Sequence, residues 1–284
     1  MSSQRSVLVT GCSDGGLGAA LALAFHAAGL KVYATARNRA KLSQCLSAGI
    51  ETLILDVLSP ESIQNAASKL PSLDILVNNA GAEYLMTLSD LNITEAKKIF
   101  DLNVWSYIEV TQVFLPLLLK SSYGGVVVNH TSLASTITVP FQGVYTASKA
   151  AIAKLSDTLR LELGALGITV VDMKTGLVRS NLIKNGQEAK PSRLPDTSLY
   201  IPAREVVEKA LSQEMFVGLG TPPQVWANAV VKDLLKKKPP TIIYRGEQAW
   251  LGWVVGFLPF GVLDGTFKKL TGLDIVEKIM KVGR

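Results

Sequence analysis

The chain has 284 residues, 48% of them hydrophobic and 18% charged, with a formal net charge of +6. That composition excludes a disordered chain and suits one large α/β domain. Basic runs interleaved with aromatic residues are absent from the first two-thirds, so no nucleic-acid partner is expected. The two cysteines, Cys12 and Cys45, and the two histidines, His26 and His130, form no group with metal-ligand spacing. So few thiols suit a reducing, cytoplasmic compartment. The N-terminus runs into a strand by Val7, which leaves no room for a signal peptide.

Ser6 to Thr10 reads as a short buried strand, followed by the loop Gly11-Cys12-Ser13-Asp14-Gly15-Gly16-Leu17-Gly18. An Ala/Leu-rich helix from Ala19 to Ala28 comes next, closed by Gly29. Strand, glycine loop and helix in that order make a dinucleotide cradle. Backbone N–H groups and the helix N-terminus face a pyrophosphate, and glycines let it approach. Gly11, Gly16 and Gly18 are the expected functional glycines, with Gly15 an additional loop residue.

Lys31 to Arg37 is the second strand. In folds that bind NAD, a carboxylate at its end accepts from the ribose hydroxyls. Here no Asp or Glu occurs from Gly15 to Ile50, and Arg37, Arg39 and Lys41 stand in that region instead. A guanidinium at Arg37 pairs with the 2′-phosphate of NADP(H) in a bidentate contact. Lys41 fits an ordinary surface cation better.

Glu51 to Val57 is the third strand, ending at Asp56-Val57, where a carboxylate can accept from the adenine amine. Ser59-Pro60-Glu61 opens a helix with a cap, a Pro at the first position and an early acid. The fourth strand, Leu73 to Val77, runs into Asn78-Asn79-Ala80-Gly81, small and polar enough for a cofactor to lie against backbone. The helix Thr94 to Leu102 leads to Asn103 in an apolar stretch. An amide there must be satisfied, either as a structural bend or as a hold on a water linked to Lys149.

Val126 to Ser132 reads as a buried strand running out into hydroxyls. The helix Val144 to Leu163 follows, carrying Tyr145 and Lys149 four residues apart and therefore on one face. An ammonium beside a phenol stabilises the phenolate, so the Tyr145 pKa is expected to fall towards the range of a general acid or base. A Tyr and a Lys four apart also occur by chance on solvated helix faces, so the pair gains weight only from its surroundings.

Those surroundings agree. The glycine loop, Asn78-Asn79-Ala80-Gly81, Asn103, Ser132, Tyr145 and Lys149 resemble, in order and spacing, the short-chain dehydrogenase/reductase family over about Ser6 to Leu182. The resemblance implies a Rossmann-type, doubly wound, seven-stranded parallel sheet with helices on both faces, in a single domain with a C-terminal apolar extension. It gives Asn103, Ser132, Tyr145 and Lys149 the roles of a catalytic tetrad. It extends the cofactor contacts to Ser13, Leu17, Asn79, Ala80, Gly81, Gly176, Val178 and Ser180, and implies a homodimer or homotetramer. The sequence departs from the family pattern at several points. The loop carries an extra residue, Thr175-Gly176 replaces a Pro-Gly, Ser180 replaces a threonine, and Ser135 replaces a glycine.

After Leu182 the chain turns polar and irregular to Pro202, which reads as a lid over the substrate spanning about 182–222. Ala203 to Leu211 and Pro223 to Lys236 are expected helices, and Thr241 to Tyr244 the seventh strand, so the catalytic domain spans 1–245. The stretch Gln248 to Leu263 carries Trp250, Trp253, Phe257 and Phe260 and no charge, and lysines follow at Lys268, Lys269, Lys278 and Lys281. It is too short and too broken to span a bilayer. Three uses remain open for the extension 246–284: packing on the core or a subunit partner, walling a greasy pocket, or lying at a membrane interface. This tail and the glycine loop resemble the fungal 1-acyldihydroxyacetone-phosphate reductase branch, which implies a lipid ketone and a peripheral place at the endoplasmic reticulum or lipid droplets. A role in tailoring polyketides or other secondary metabolites stays equally open. The expected activity is NADP(H)-dependent interconversion of a ketone and a secondary alcohol on a hydrophobic substrate. The rival from another class is a dinucleotide-binding scaffold without turnover.

Overall fold

The structure is a computed structural model that describes residues 4–181 and 193–282. Seven strands form one sheet in the order β3-β2-β1-β4-β5-β6-β7, every neighbouring pair parallel. They are β1 Ser6–Val9, β2 Lys31–Ala36, β3 Glu51–Ile54, β4 Ile75–Asn78, β5 Val126–His130, β6 Thr169–Thr175 and β7 Ile242–Arg245. The strands are short and nearly continuous in apolar residues because both faces are covered.

Alternation along each strand divides the core into two layers. Val7 and Val9, Ile75 and Val77, and Val126 and Val128 face the helices α1 (Leu17–Ala27) and Pro223–Leu234. Leu8, Leu76 and Val127 face α3 (Pro60–Ala67), α5 (Ser106–Leu118) and α6 (Gly143–Gly164). The remaining early helices are α2 (Ser43–Ser47) and α4 (Ile93–Phe100). The chain order reverses between β1 and β4, and a crevice opens there past the carboxyl ends of the strands.

Local chemistry explains the element boundaries. Gly29, with φ of +83°, closes α1 as expected. Ser59 caps α3 by accepting from Ser62 N, with Pro60 at its first position. The third strand stops at Ile54 instead of Val57: Leu55 N makes the last bond to β2, at Ala36 O, and Asp56 then turns the chain, its carbonyl accepting from Ser59 N. Between α4 and α5 the helix does not end at Leu102. It widens into a π-turn over Asp101–Trp105 with Asn103 at its centre, the type of bulge that often marks a functional position.

The tail packs against the domain. Its last helix, Leu273–Val282, lays Val276 against Val207 and Leu211 of the helix Arg204–Leu211, in a third apolar cluster that includes Leu85 and Met86. Of the expected lid, residues 182–192 lie outside the described residues. The remainder contains the helix Arg204–Leu211 and a short turn Glu214–Phe216.

Candidate active site

Four strand ends deliver the site. The glycine loop follows β1, Asn79 follows β4, Ser132 follows β5 and Gly176 follows β6. They open on one cleft of about 1750 Å³, larger than the ~300–1,000 Å³ of ordinary small-ligand sites and roomy enough for a dinucleotide with a substrate. Every site residue expected from sequence lines it except Gly18 and Asn103, which are buried behind it.

The glycine loop fits a cofactor's phosphates. Gly11 has φ of +72°, and a Cβ there would stand 2.8 Å from Ala80 Cα. A Cβ on Gly18 would stand 2.4 Å from Gly11 O, so this glycine brings α1 close to the strand. Gly16 precedes Leu17 at the start of α1, leaving the helix N-terminus bare towards the cleft. Asp14 and the additional Gly15 are anchored to α2. The Asp14 carboxylate accepts from Ser43 N, Ser43 Oγ and Gln44 N, and Gly15 N donates to Gln44 Oε1. Asp14, the carboxylate of the glycine loop, is thus committed to α2. Arg37 is exposed, lines the cleft and pairs with no carboxylate among the described residues. Asp56 also lines the cleft, though its Oδ1 accepts from Leu58 N at 3.0 Å. Val57, Val178 and Ser180 complete that wall.

Tyr145 and Lys149 share one face of α6, as their spacing requires, with Lys149 Nζ 6.0 Å from the Tyr145 ring centroid. The expected fall in the phenol's pKa is not observed. Burial pushes Tyr145 up to about 12, the Ser132 hydroxyl lowers it and Glu83 raises it. Burial in turn holds Lys149 down at about 8, against the pull of Asp172. The ammonium donates to His130 O at 2.8 Å and stands 5.5 Å from the Tyr107 ring centroid. Desolvation here outweighs the stabilising neighbour that sequence spacing alone suggests.

Asn103 is satisfied within the protein. Its Oδ1 accepts from Ala82 N at 3.0 Å, and its Nδ2 donates to Ala82 O at 2.8 Å and Ser148 Oγ at 3.0 Å. The amide therefore ties the π-turn to the Asn79-Ala80-Gly81 loop and to α6. The second lone pair of Oδ1 stays available beside these bonds. Ser135 is also employed: its Oγ donates to Ser132 O and accepts from Lys174 Nζ, whose ammonium pairs with Asp172 at 2.9 Å. The Ser132 loop is thereby tied to β6.

One network escaped the sequence reading. His130 Nδ1 lies 2.9 Å from Asn79 Oδ1 and its Nε2 lies 2.7 Å from Thr175 Oγ1. Asn79 Nδ2 is already donated to Thr10 O and Gly11 O. The network thus assigns the ring proton to Nδ1 and makes the Thr175 hydroxyl a donor to Nε2. Thr175, replacing the family's proline, links β6 through His130 and Asn79 to the glycine loop. A pair of adjacent polar residues at two strand ends was the available signal. Burial, then the Lys149 charge, holds His130 down at about 3. The unfolded chain binds a proton at ~6.5, so stability is lost as pH falls from there towards the folded value, by up to about 1.4 kcal/mol per pH unit. His130→Gln should lack this contribution. Denaturant unfolding across that pH window checks it, and equal pH slopes for the two proteins would contradict the assignment.

A doubly wound sheet with a phosphate cradle and a Tyr–Lys pair at its carboxyl edge defines a nicotinamide-dependent oxidoreductase. The comparisons agree. A family model described as short chain dehydrogenase matches residues 5–191. A short-chain dehydrogenase/reductase of Pestalotiopsis microspora is 49% identical over 282 residues, covering 99% of each chain. An NADPH-dependent 1-acyldihydroxyacetone phosphate reductase of Schizosaccharomyces pombe is 32% identical over 291 residues, covering 96% of each. The crystal structure of a short-chain dehydrogenase from Streptomyces avermitilis superposes with a TM-score of 0.75 at 28% identity, covering 98% of both chains. The chain belongs to the short-chain dehydrogenase/reductase family.

Proposed function

We propose that this protein is an NADP(H)-dependent oxidoreductase that interconverts a ketone and a secondary alcohol on a hydrophobic substrate. The observation that carries this is the convergence of Ser132, Tyr145 and Lys149 on a cleft walled at its other end by the glycine loop and Arg37. The nicotinamide, when bound, supplies or accepts the hydride. Tyr145 gives its phenolic proton to the carbonyl oxygen, or takes it from the alcohol. Ser132 donates a hydrogen bond to the same oxygen. Lys149 acts on Tyr145 and would hold the nicotinamide ribose; its Nζ lies close to the Gly81 backbone, where a Cβ would stand 3.7 Å away. Asn103 positions the loop and α6 around them. The preference for NADP(H) rests on Arg37, on the commitment of Asp14 to α2, and on the NADPH-dependent relative. Monitoring NADPH and NADH consumption with a panel of small, long-chain and polycyclic ketones tests the proposal. Oxidation of neither cofactor with any ketone would favour the scaffold instead.

The tail separates into two parts. Phe267 and Leu270 line the cleft, whereas none of residues 249–263 does. Of the three uses left open for the extension, walling the pocket fits Phe267 and Leu270. Ala249 and Gly252 are buried, and a Cβ on Gly252 would press on Leu133 and Tyr244. Trp250, Trp253, Phe257 and Phe260 instead face outwards, Phe260 fully exposed. We propose that this ridge lies in a lipid interface, with the exposed Lys269, Lys278 and Lys281 on anionic head groups. No described helix is long and apolar enough to cross a membrane. The double variant Trp253→Ser, Phe257→Ser should lose salt-sensitive flotation with anionic vesicles while keeping its turnover. Undiminished flotation, or loss of oligomeric state instead, would contradict the lipid assignment.

A further inference from the structure

Glu83 and Gln213 form a polar pair in the cleft that the mechanism above does not use. Glu83 lies two residues beyond Gly81, half-buried, and lines the cleft with Tyr145 and Ser132. Its Oε2 accepts from Gln213 Nε2 at 3.2 Å, across 130 residues of chain. No other described residue donates to its side chain, so this carboxyl lining the cleft keeps hydrogen-bonding capacity to spare. Burial raises its pKa, Gln213 opposes this, and its charge is felt at the Tyr145 phenol.

Gln213 supplies an independent observation. It follows the helix Arg204–Leu211 and adopts φ of +55°, the left-handed conformation that helix ends ordinarily reserve for Gly or Asn. Its N–H bonds Ala210 O, as a helix terminus requires. Glycine would satisfy the backbone there with less strain. Glutamine instead places a buried amide on Glu83, which is a reason for its side chain to be present. The surrounding wall is acidic. Residues 83–102 and 193–216 contribute Glu83, Asp90, Glu95, Glu208 and Glu214 to the cleft against Lys98 and Arg193, and Lys98 is paired with Glu95.

We propose that Glu83, oriented by Gln213, is a specificity-determining residue that hydrogen-bonds a hydroxyl group beside the reacting carbonyl and rejects substrates with a phosphate or carboxylate there. The preferred substrate is then a neutral, hydroxylated, otherwise apolar ketone. This rests on the ketone-reductase reading and narrows its substrate class: the acidic wall suits an uncharged metabolite better than a phosphorylated lipid. A carboxyl or carboxylate can pair with a hydroxyl in either protonation state, whereas a phosphate beside it meets like charge with little water to screen it.

The test uses a long-chain α-hydroxyketone, the parent ketone without the hydroxyl, and the phosphate monoester of the hydroxyketone. The wild type should favour the first over both others. Glu83→Leu should cut the kcat/KM ratio of hydroxyketone to parent ketone by roughly 10²-fold, since the group that rewards the hydroxyl is gone. Glu83→Gln keeps the shape and hydrogen bonding but not the charge. It should retain the hydroxyl preference, improve the phosphate ester, and move the kinetic pKa of Tyr145 downwards. Calorimetric Kd values for the hydroxyketone and its phosphate, in a Tyr145→Phe background with and without Glu83→Gln, give the same comparison without turnover. Unchanged ratios in Glu83→Leu, or a wild type that prefers the phosphate ester, would overturn the inference while leaving the reductase reading standing. A wild type that reduces no ketone would remove both.

Discussion

Tyr145→Phe should lose ketone reduction by ~10²–10⁴-fold or more, the range for a positioned acid, while NADPH still binds. The substitution removes one oxygen and keeps the ring that fills its place on α6. The phenol is the group with an ionisable proton that faces both Ser132 and the cleft. At about 12 it is protonated through the neutral range, which suits it to donate to a carbonyl oxygen. The reverse reaction needs the phenolate, so alcohol oxidation should rise with pH over a range where reduction does not. Reduction should weaken as Lys149, held at about 8 by burial, loses its charge. Turnover and fluorescence titration of NADPH on the same preparation check the main effect. A Tyr145→Phe enzyme with near wild-type rate on its best ketone would mean the proton comes from elsewhere.

Arg37→Asp should weaken NADPH binding by roughly 10²-fold or more and leave NADH binding little changed or improved. The guanidinium lies open to the cleft beside Lys41, paired with no carboxylate among the described residues. Hydrogen bonds to charged groups contribute ~1.5–3 kcal/mol each, and aspartate replaces attraction by repulsion at the same point. The carboxylate would also supply what the second strand lacks, an acceptor for ribose hydroxyls. Titrating both cofactors against the variant separates these terms. Equal losses for NADPH and NADH would place the 2′-phosphate away from Arg37.

Much of this was legible because it depends on local pattern. Strands buried on both faces read as apolar runs, and the spacing of Tyr145 and Lys149 put them on one face of α6. The order of glycine loop, Asn79, Ser132 and Gly176 carried the topology, since parallel strands deliver their carboxyl ends to one edge. What sequence could not convey was depth. The Tyr145 phenol and Lys149 ammonium are shifted chiefly by desolvation, which depends on neighbours distant in the chain such as Tyr107 and His130. Asn103 looked like a group in search of a partner until Ala82 and Ser148 were seen to satisfy it. Glu83 and Gln213 are unremarkable letters 130 positions apart, and only the folding of the segment after β6 across the cleft joins them. The tail was correctly read as apolar, but composition cannot say which aromatic rings turn inwards. Phe267 and Leu270 line the cleft, and Phe257 and Phe260 point away from it.

The central claim is that hydride moves between a nicotinamide and a substrate carbonyl held at Ser132 and Tyr145. Its most direct test is a single-turnover reaction of the wild-type protein with NADPH deuterated at the transferring position of the nicotinamide and the best ketone from the panel, with the product examined by mass spectrometry and NMR. The account predicts deuterium on the carbinol carbon of one enantiomer, appearing ~10²–10⁴-fold more slowly or not at all when Tyr145→Phe replaces the wild type. A reduced product whose carbinol carbon carries only protium, or label transfer that persists in Tyr145→Phe at the wild-type rate, would contradict it.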